Sequence, residues 1–256
     1  MERVATVIPT FNRLEWLPGA IESAMAKDWD NMVVIVVNDA STDGTEEWLY
    51  DYADKRTNID KTFYWETHEE NQGIPGALNT GIELAELCEC DYVEWMSDDD
   101  RHYPQKTAVQ MKAFKYPPIA KLGLVYSGYD AYWIHGPPEN GNRPYRHVRA
   151  IPEYHSDRMA QWSALKKACI INGSTAMFPI SVFKDVGLFS MDFPYCQDYE
   201  MWLRIMMKYN VFRIPMILGD RYEHGKTATD KVVAEGLQEE PQLYEYIKDW
   251  EPDTIE

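Results

Sequence analysis

The six residues from Met32 to Val37 read Met-Val-Val-Ile-Val-Val, and they restrict this chain more than any other segment. No polar residue interrupts the run, and it is too short for a buried helix. A strand with one wet face would alternate. A strand covered on both faces need not, and a parallel sheet wrapped in crossover helices is the architecture that covers both faces. The neighbouring sequence agrees. Residues 4–9, 62–66 and 91–96 read as further strands. Between them, residues 14–27, 45–54 and 75–87 carry apolar side chains at helical spacing, with Pro18 and Pro75 near helix starts. Strands alternating with helices predict an α/β fold built on a parallel sheet with crossover connections.

After Pro104 the pattern loosens. Residues 105–115 read as a helix and 122–132 as a long strand or strand pair. Residues 135–152 form a loop rich in Gly, Pro, Asn and Arg, with no periodicity. A loop of that length is often a functional lid. From His135 to Lys167 six basic residues face three acidic ones, against the trend of the chain. This basic loop is either a solvated surface or a mobile element that meets an anionic ligand. A strand is expected near 175–178, helices at 180–186 and 198–209, and strands at 211–214 and near Ile217. The chain therefore divides into residues 1–104, residues 105–229 and an acidic, mostly helical tail at 230–256.

Charge excludes some partners. With 25 basic and 42 acidic residues the formal net charge is −17. A groove that follows nucleic-acid phosphates needs a basic face, so no nucleic acid is expected as a partner. An anionic membrane surface is disfavoured for the same reason. An anionic ligand would need a metal ion or a local basic loop. No apolar stretch reaches the roughly 18–20 residues of a transmembrane helix. The N-terminus enters a strand without a basic-then-apolar leader, so the expected location is cytoplasmic. Four cysteines, Cys88, Cys90, Cys169 and Cys196, do not make a disulfide framework in a chain of 256 residues.

In an open α/β sheet, ligands bind beyond the carboxyl ends of the strands. Here every such end is polar or acidic: Pro9, Thr10, Asn12 and Arg13; then Asn38 and Asp39; then Asn71 and Gly73; then Ser97 and Asp98-Asp99-Asp100. Three adjacent carboxylates repel one another, and a hard divalent cation would relieve that. Capping of the next helix is the other reading of the same residues. Asp198, at the start of a helix, suits either a cap or a general base. His224, in a charged loop, suits either a structural role or a ligand. Several motifs are incomplete. Asp39-x-Ser41-x-Asp43-Gly44 opens like a calcium loop but has Tyr50 at its twelfth position. Gly219 to Gly225-Lys226-Thr227 has one residue too many for a phosphate loop, and no G-x-G-x-x-G follows the first strand.

Taken together, five segments resemble the family 2 glycosyltransferases of GT-A fold. They are Val7 to Arg13, Val36 to Thr45, Asn71-x-Gly73 with Ala77-x-Asn79-x-Gly81, Ser97 to Asp100 with Pro104, and Gln197-Asp198-Tyr199-Glu200-x-Trp202-x-Arg204. They occur in the family's order over roughly residues 3–225. The chain departs from the family pattern in places. Asn38 stands where Asp is frequent, Ser97 replaces the first Asp of D-x-D, Gln197 replaces Glu, and Leu78 stands where many members carry Arg.

The resemblance implies transfer of a sugar from a nucleoside-diphosphate sugar, UDP first among the nucleotides, to a hydroxyl of a glycan or lipid-linked glycan. It implies an α/β fold of GT-A type, a mostly parallel, Rossmann-like central sheet flanked by helices, with a nucleotide-sugar half at 1–104 and a smaller acceptor-side subregion at 105–229. Pro9, Thr10, Asn12, Asp39, Asn71, Gly73 and Asp98 would hold the donor. Asp99, with Asp98 or Asp100 and His224, would hold Mn²⁺ or Mg²⁺. Asp198 would act as general base, and a single displacement would invert the anomeric centre. The loop at 135–152 would close over the acceptor. A homo-oligomer is compatible with the sequence. The rival readings are a nucleotidyltransferase, a non-catalytic sugar-nucleotide or glycan-binding module, and a retaining transferase.

Overall fold

The computed structural model describes residues 1–55, 62–151, 153, 157–225 and 239–255. β1 (Val4–Thr10), β2 (Met32–Asn38), β3 (Thr62–Thr67) and β4 (Tyr92–Trp95) lie side by side in the order β3-β2-β1-β4, all parallel. Every residue of β2 is buried, as its apolar run requires. Alternate residues serve opposite faces. Val34 and Val36 pack with Ile8 of β1 against α1 (Leu17–Met25) and α2 (Thr45–Asp54). Val33, Ile35 and Val37 pack with Val7 against α3 (Gly73–Leu87). Each fully buried Val or Ile contributes about 1.5–3 kcal/mol. Gly81 lets α3 approach β1: a Cβ there would lie 2.2 Å from Val7 Cγ1.

The second half extends the same sheet in mixed directions. Its elements are β5 (Arg101–His102), α4 (Lys106–Lys115), β6 (Leu122–Trp133), β7 (Arg146–Ala150), α5 (Arg158–Leu165), β8 (Met177–Pro179), α6 (Ser181–Val186), α7 (Gln197–Lys208), β9 (Asn210–Glu223) and α8 (Glu239–Ile247). Beyond β4 the order is β8-β6-β9-β5, with β7 also paired to β6. β8 enters antiparallel to β4 and β6, β9 runs parallel to β6, and β5 and β7 are antiparallel to their partners. The sheet is thus parallel through its first four strands and mixed beyond them.

Three local differences from the sequence expectations have physical causes. The two strands expected around 211–217 are one long strand. Its register jumps from Ser127↔Ile214 to Gly128↔Ile217, so Pro215 and Met216 bulge out of the ladder. The loop at 135–152 is not structureless. It holds a 3-10 turn at Pro138–Asn140 and then β7, an edge strand whose polar, exposed residues give no burial pattern. Pro152 lies outside the described residues. The expected tail docks through Leu243 and Ile247 of α8 onto the main core, while its residues 230–238 and 256 lie outside the described residues. No helix among the described residues is long and apolar enough to cross a membrane.

Candidate active site

The parallel strands deliver Thr10, Asn38-Asp39 and the acidic turn after β4 to one edge of the sheet. Thr10 Oγ1 donates to Asp98 Oδ2 at 2.7 Å. Arg13, in the turn after β1, donates from Nη1 to Asp99 Oδ2 and also lies 3.3 Å from Asp98 Oδ1. His224 Nε2 reaches the same Asp99 oxygen at 3.1 Å, and its ring stacks on Trp16 with centroids 4.4 Å apart. The structure thus brings Thr10, Asp98, Asp99 and His224 together. Asp100 lies beside them but turns elsewhere. Its oxygens accept from Ser174 Oγ at 2.5 Å and from the Tyr222 backbone N–H at 3.2 Å, tying the acidic turn to β9.

The three carboxylates are held differently. Burial works against ionisation of Asp99, but Arg13 and His224 outweigh it and keep the group below its ordinary value. Burial pushes Asp98 up to about 6, with Arg13 opposing the rise. Burial and the neighbouring Asp99 charge push Asp100 up to about 7.

Asp39, Asn71 and Gly73 form a second group. Asp39 Oδ1 accepts from the Gln72 N–H and Oδ2 from the Gly73 N–H, both at 2.8 Å, at the N-terminus of α3. His68 Nδ1 lies 2.7 Å from Oδ1, and Asn71 Nδ2 donates to the Asp39 carbonyl at 3.1 Å. Gly73 has φ +76°, a conformation glycine adopts without strain. Asn12, at φ +53°, accepts the Thr42 N–H at 2.7 Å, and its own N–H donates to Ser41 Oγ at 2.9 Å. Asn12 thus joins the turns after β1 and β2. Pro9 pairs with Val37 inside the ladder. Leu78 is buried in the core.

Asp198 sits at the start of α7, half-buried, with its Oδ1 accepting the Tyr199 N–H at 2.7 Å. Burial pushes it up to about 6, while that hydrogen bond and the Arg221 charge pull the other way. Glu239 Oε2 accepts the Tyr195 and Cys196 N–H groups, both at 2.9 Å, so α8 fixes the chain leading into α7. The other charged residues of the α7 motif are structural. Glu200 pairs with Arg204 through two 2.6 Å contacts, and Arg204 also donates to the Val186 and Leu188 carbonyls at 2.5 and 2.8 Å.

Sequence reasoning missed the buried charges behind the acidic turn. Glu94 takes hydrogen bonds from Lys27, from Lys106 at 2.7 Å, from Thr6 at 2.9 Å and from Thr107 at 2.8 Å. His102 Nε2 lies 2.6 Å from the Ser174 carbonyl. A carbonyl only accepts, so Nε2 carries the proton. Ser174 in turn accepts the Ser97 N–H at 3.0 Å and donates to Asp100. A polar residue at an inward position of a strand was the available signal for Glu94.

The donors present suit a hard divalent ion. Among the described residues no three His, Cys, Asp or Glu side chains form a ready-made cage. Asp99 and His224 offer two donors and Asp98 a third behind Arg13. Mg²⁺ sites of this kind combine one or two carboxylates with substrate phosphates. The acidic turn has donors such an ion would need, and no side-chain cap hydrogen bond is made at the start of α4.

Comparison with known proteins gives the family and the fold. The family model described as "Glycosyl transferase family 2" matches residues 6–187. An uncharacterised glycosyltransferase of Rickettsia bellii is 29% identical over 237 residues, 90% of this chain and 31% of that protein. For the Rickettsia typhi relative the share of that protein is 60%, so the chain spans about a third to three-fifths of these relatives. An Escherichia coli UDP-Glc:alpha-D-GlcNAc-diphosphoundecaprenol beta-1,3-glucosyltransferase, WfaP, is 24% identical over 210 residues, 81% of this chain and 72% of that protein. The mannosyltransferase PcManGT of Pyrobaculum calidifontis, solved with GDP-Man and Mn²⁺, superposes with a TM-score of 0.69 at 20% identity over 98% of this chain and 66% of that one. Staphylococcus aureus TarS with UDP-GlcNAc gives 0.63 at 15% identity over 86% of this chain and 58% of that one. With its GT-A sheet and the matched segment covering most of its length, this chain belongs to glycosyl transferase family 2.

Proposed function

We propose that this glycosyltransferase moves a sugar from a nucleoside-diphosphate sugar, with UDP as nucleotide, to a hydroxyl of a glycan or lipid-linked glycan in the cytoplasm. The transfer inverts the anomeric centre and is assisted by Mn²⁺ or Mg²⁺. The observation that carries the reading is the meeting of Asp98, Asp99 and His224 at the sheet edge that also holds Asp39 and Asn71. The E. coli relative whose name gives UDP-Glc and a diphosphoundecaprenol-linked sugar, and the neighbours solved with nucleotide sugars, support the substrate class.

In this reading residues 1–104 bind the donor and 105–229 the acceptor, while Glu239 of α8 braces the chain leading into α7. Pro9, Thr10, Asn12, Asp39, Asn71 and Gly73 shape the nucleoside pocket. Both Asp39 oxygens already accept backbone N–H groups, so Asp39 chiefly fixes the pocket wall. Asp99 and His224, with Asp98, would hold the ion, and Asp100 anchors their turn through Ser174. When bound, the ion neutralises charge growing on the leaving diphosphate. Asp198 accepts the proton of the attacking hydroxyl, a role worth typically ~10²–10⁴-fold. A base with a value near 6 is ionised at neutral pH yet still basic enough to take that proton.

Calorimetry with UDP, GDP, dTDP, CDP and ATP, each with Mn²⁺ and with chelator, tests the donor site. Incubation with the matching sugar nucleotides and NMR of the anomeric configuration then tests the reaction. Binding of one diphosphate only with metal, and an inverted product, are the expected results. Tight binding of ATP alone would favour a nucleotidyltransferase, and retention would remove Asp198 from its role.

A further inference from the structure

We propose that Arg13 is a resident counter-ion that competes with the divalent cation for Asp98 and Asp99 and turns to the diphosphate when donor binds. The proposal deepens the metal-assisted reading and rests on it. Arg13 Nη1 bonds Asp99 Oδ2, the oxygen that also faces His224, and lies 3.3 Å from Asp98 Oδ1. The other Asp98 oxygen is held by Thr10. The guanidinium therefore lies on one oxygen of each carboxylate, Asp99 Oδ2 and Asp98 Oδ1, both open to an ion.

A divalent ion on those oxygens would sit beside the guanidinium charge, and the two cations repel. Arg13 is mostly buried, with its side chain 20% exposed, and its charged form is stabilised by Asp98 and Asp99. It balances the acidic turn in the absence of an ion and must leave for one to enter. The turn that carries it is fixed by the bonds between Asn12 and residues 41–42, so the side chain rather than the backbone moves. A displaced guanidinium stays in the crevice proposed for the diphosphate, whose paired oxygens suit its planar fork. Metal and nucleotide then help each other bind, because each removes the cost of moving Arg13. Linkage makes that coupling reciprocal.

The test is Mn²⁺ binding without nucleotide, by EPR or calorimetry, in the wild type, Arg13→Gln and Arg13→Lys. Arg13→Gln should bind Mn²⁺ about tenfold more tightly, and the lysine variant, which keeps the charge, should stay near the wild type. The factor by which UDP or GDP, whichever binds, tightens Mn²⁺ should shrink in Arg13→Gln. A wild-type measurement guards against a misfolded variant. Phenylglyoxal labelling of Arg13, mapped by mass spectrometry, should speed up with Mn²⁺ and slow again on addition of the nucleotide. Equal, measurable Mn²⁺ affinity in the wild type and Arg13→Gln, or labelling unchanged by Mn²⁺, overturns the role of Arg13 alone. No Mn²⁺ binding in any of the three, with or without nucleotide, overturns the metal-assisted reading and this proposal with it.

Discussion

Asn79 holds Phe189 by both of its backbone groups. Asn79 Oδ1 accepts the Phe189 N–H at 2.8 Å, and Nδ2 donates to the Phe189 carbonyl at 2.9 Å. One side chain of α3 thereby fixes the segment that leads to Asp198, so the proposed donor half positions the proposed base. Asn79→Ala should lower stability by about 1–3 kcal/mol, as expected for partly buried groups left without partners. Urea denaturation checks this. The same variant should lose kcat more than nucleotide affinity, since it frees the Asp198 side of the crevice.

With Asp198 as the general base, transfer should depend on pH. Its value near 6 means that it is protonated, and unable to accept a proton, below that pH. The transfer rate should therefore rise with pH through about 6 and then level. Asp198→Asn should bind nucleoside diphosphate normally, lose about 10²–10⁴ in kcat, and lose this rise.

The same shift costs stability. A carboxyl whose folded value lies above its unfolded value contributes stability that is present below the unfolded value and is lost as pH rises through the folded one. The window here is about pH 4–6. At pH 8 the ionised, poorly solvated Asp198 is a net burden, so Asp198→Asn should raise stability there by roughly 1–3 kcal/mol, discounted for its partial exposure. Denaturation at pH 8 and pH 4 measures the difference, and the gain should vanish at pH 4.

Glu94 lies between Lys27 and Lys106, and all three are buried. Burial opposes its ionisation, but the two lysines prevail and hold it well below the usual carboxylate range. Glu94→Gln would leave two buried lysines facing each other without a counter-charge. It should cost about 3–5 kcal/mol, the cost of breaking a buried pair from one side. A midpoint shift in guanidinium denaturation at constant slope is the readout.

Gly81→Ala places a methyl group 2.2 Å from Val7 Cγ1. Overpacking of this kind costs typically ~1–3 kcal/mol. The change lies on the face of β1 opposite α1, so thermal stability should fall while the pH profile of transfer keeps its shape.

The elements that sequence reading found are those whose burial is written as periodicity. β2 is apolar at each position but its last and is buried throughout, and α3 repeats Leu78, Ile82 and Ala85 on its inner face. β7 was invisible because its Arg146, His147 and Arg149 face solvent on an edge strand, and β5 because two residues carry no pattern. The site was legible where side chains follow a strand directly, as with Thr10, Asp39 and Asp98. The contacts of Arg13, Ser174 and Glu239 were not. They arise from residues far apart in the chain, and nothing local marks which carboxylate a given arginine or serine will meet.

The central claim is that the acidic turn and Asp39 form a metal-assisted site for a nucleoside diphosphate. The most direct measurement is calorimetric titration of UDP into the wild type and Asp99→Asn, with Mn²⁺ and with chelator. Binding to the wild type should depend on Mn²⁺ and be lost in Asp99→Asn. Equal binding in chelator, or in Asp99→Asn with Mn²⁺, would contradict it.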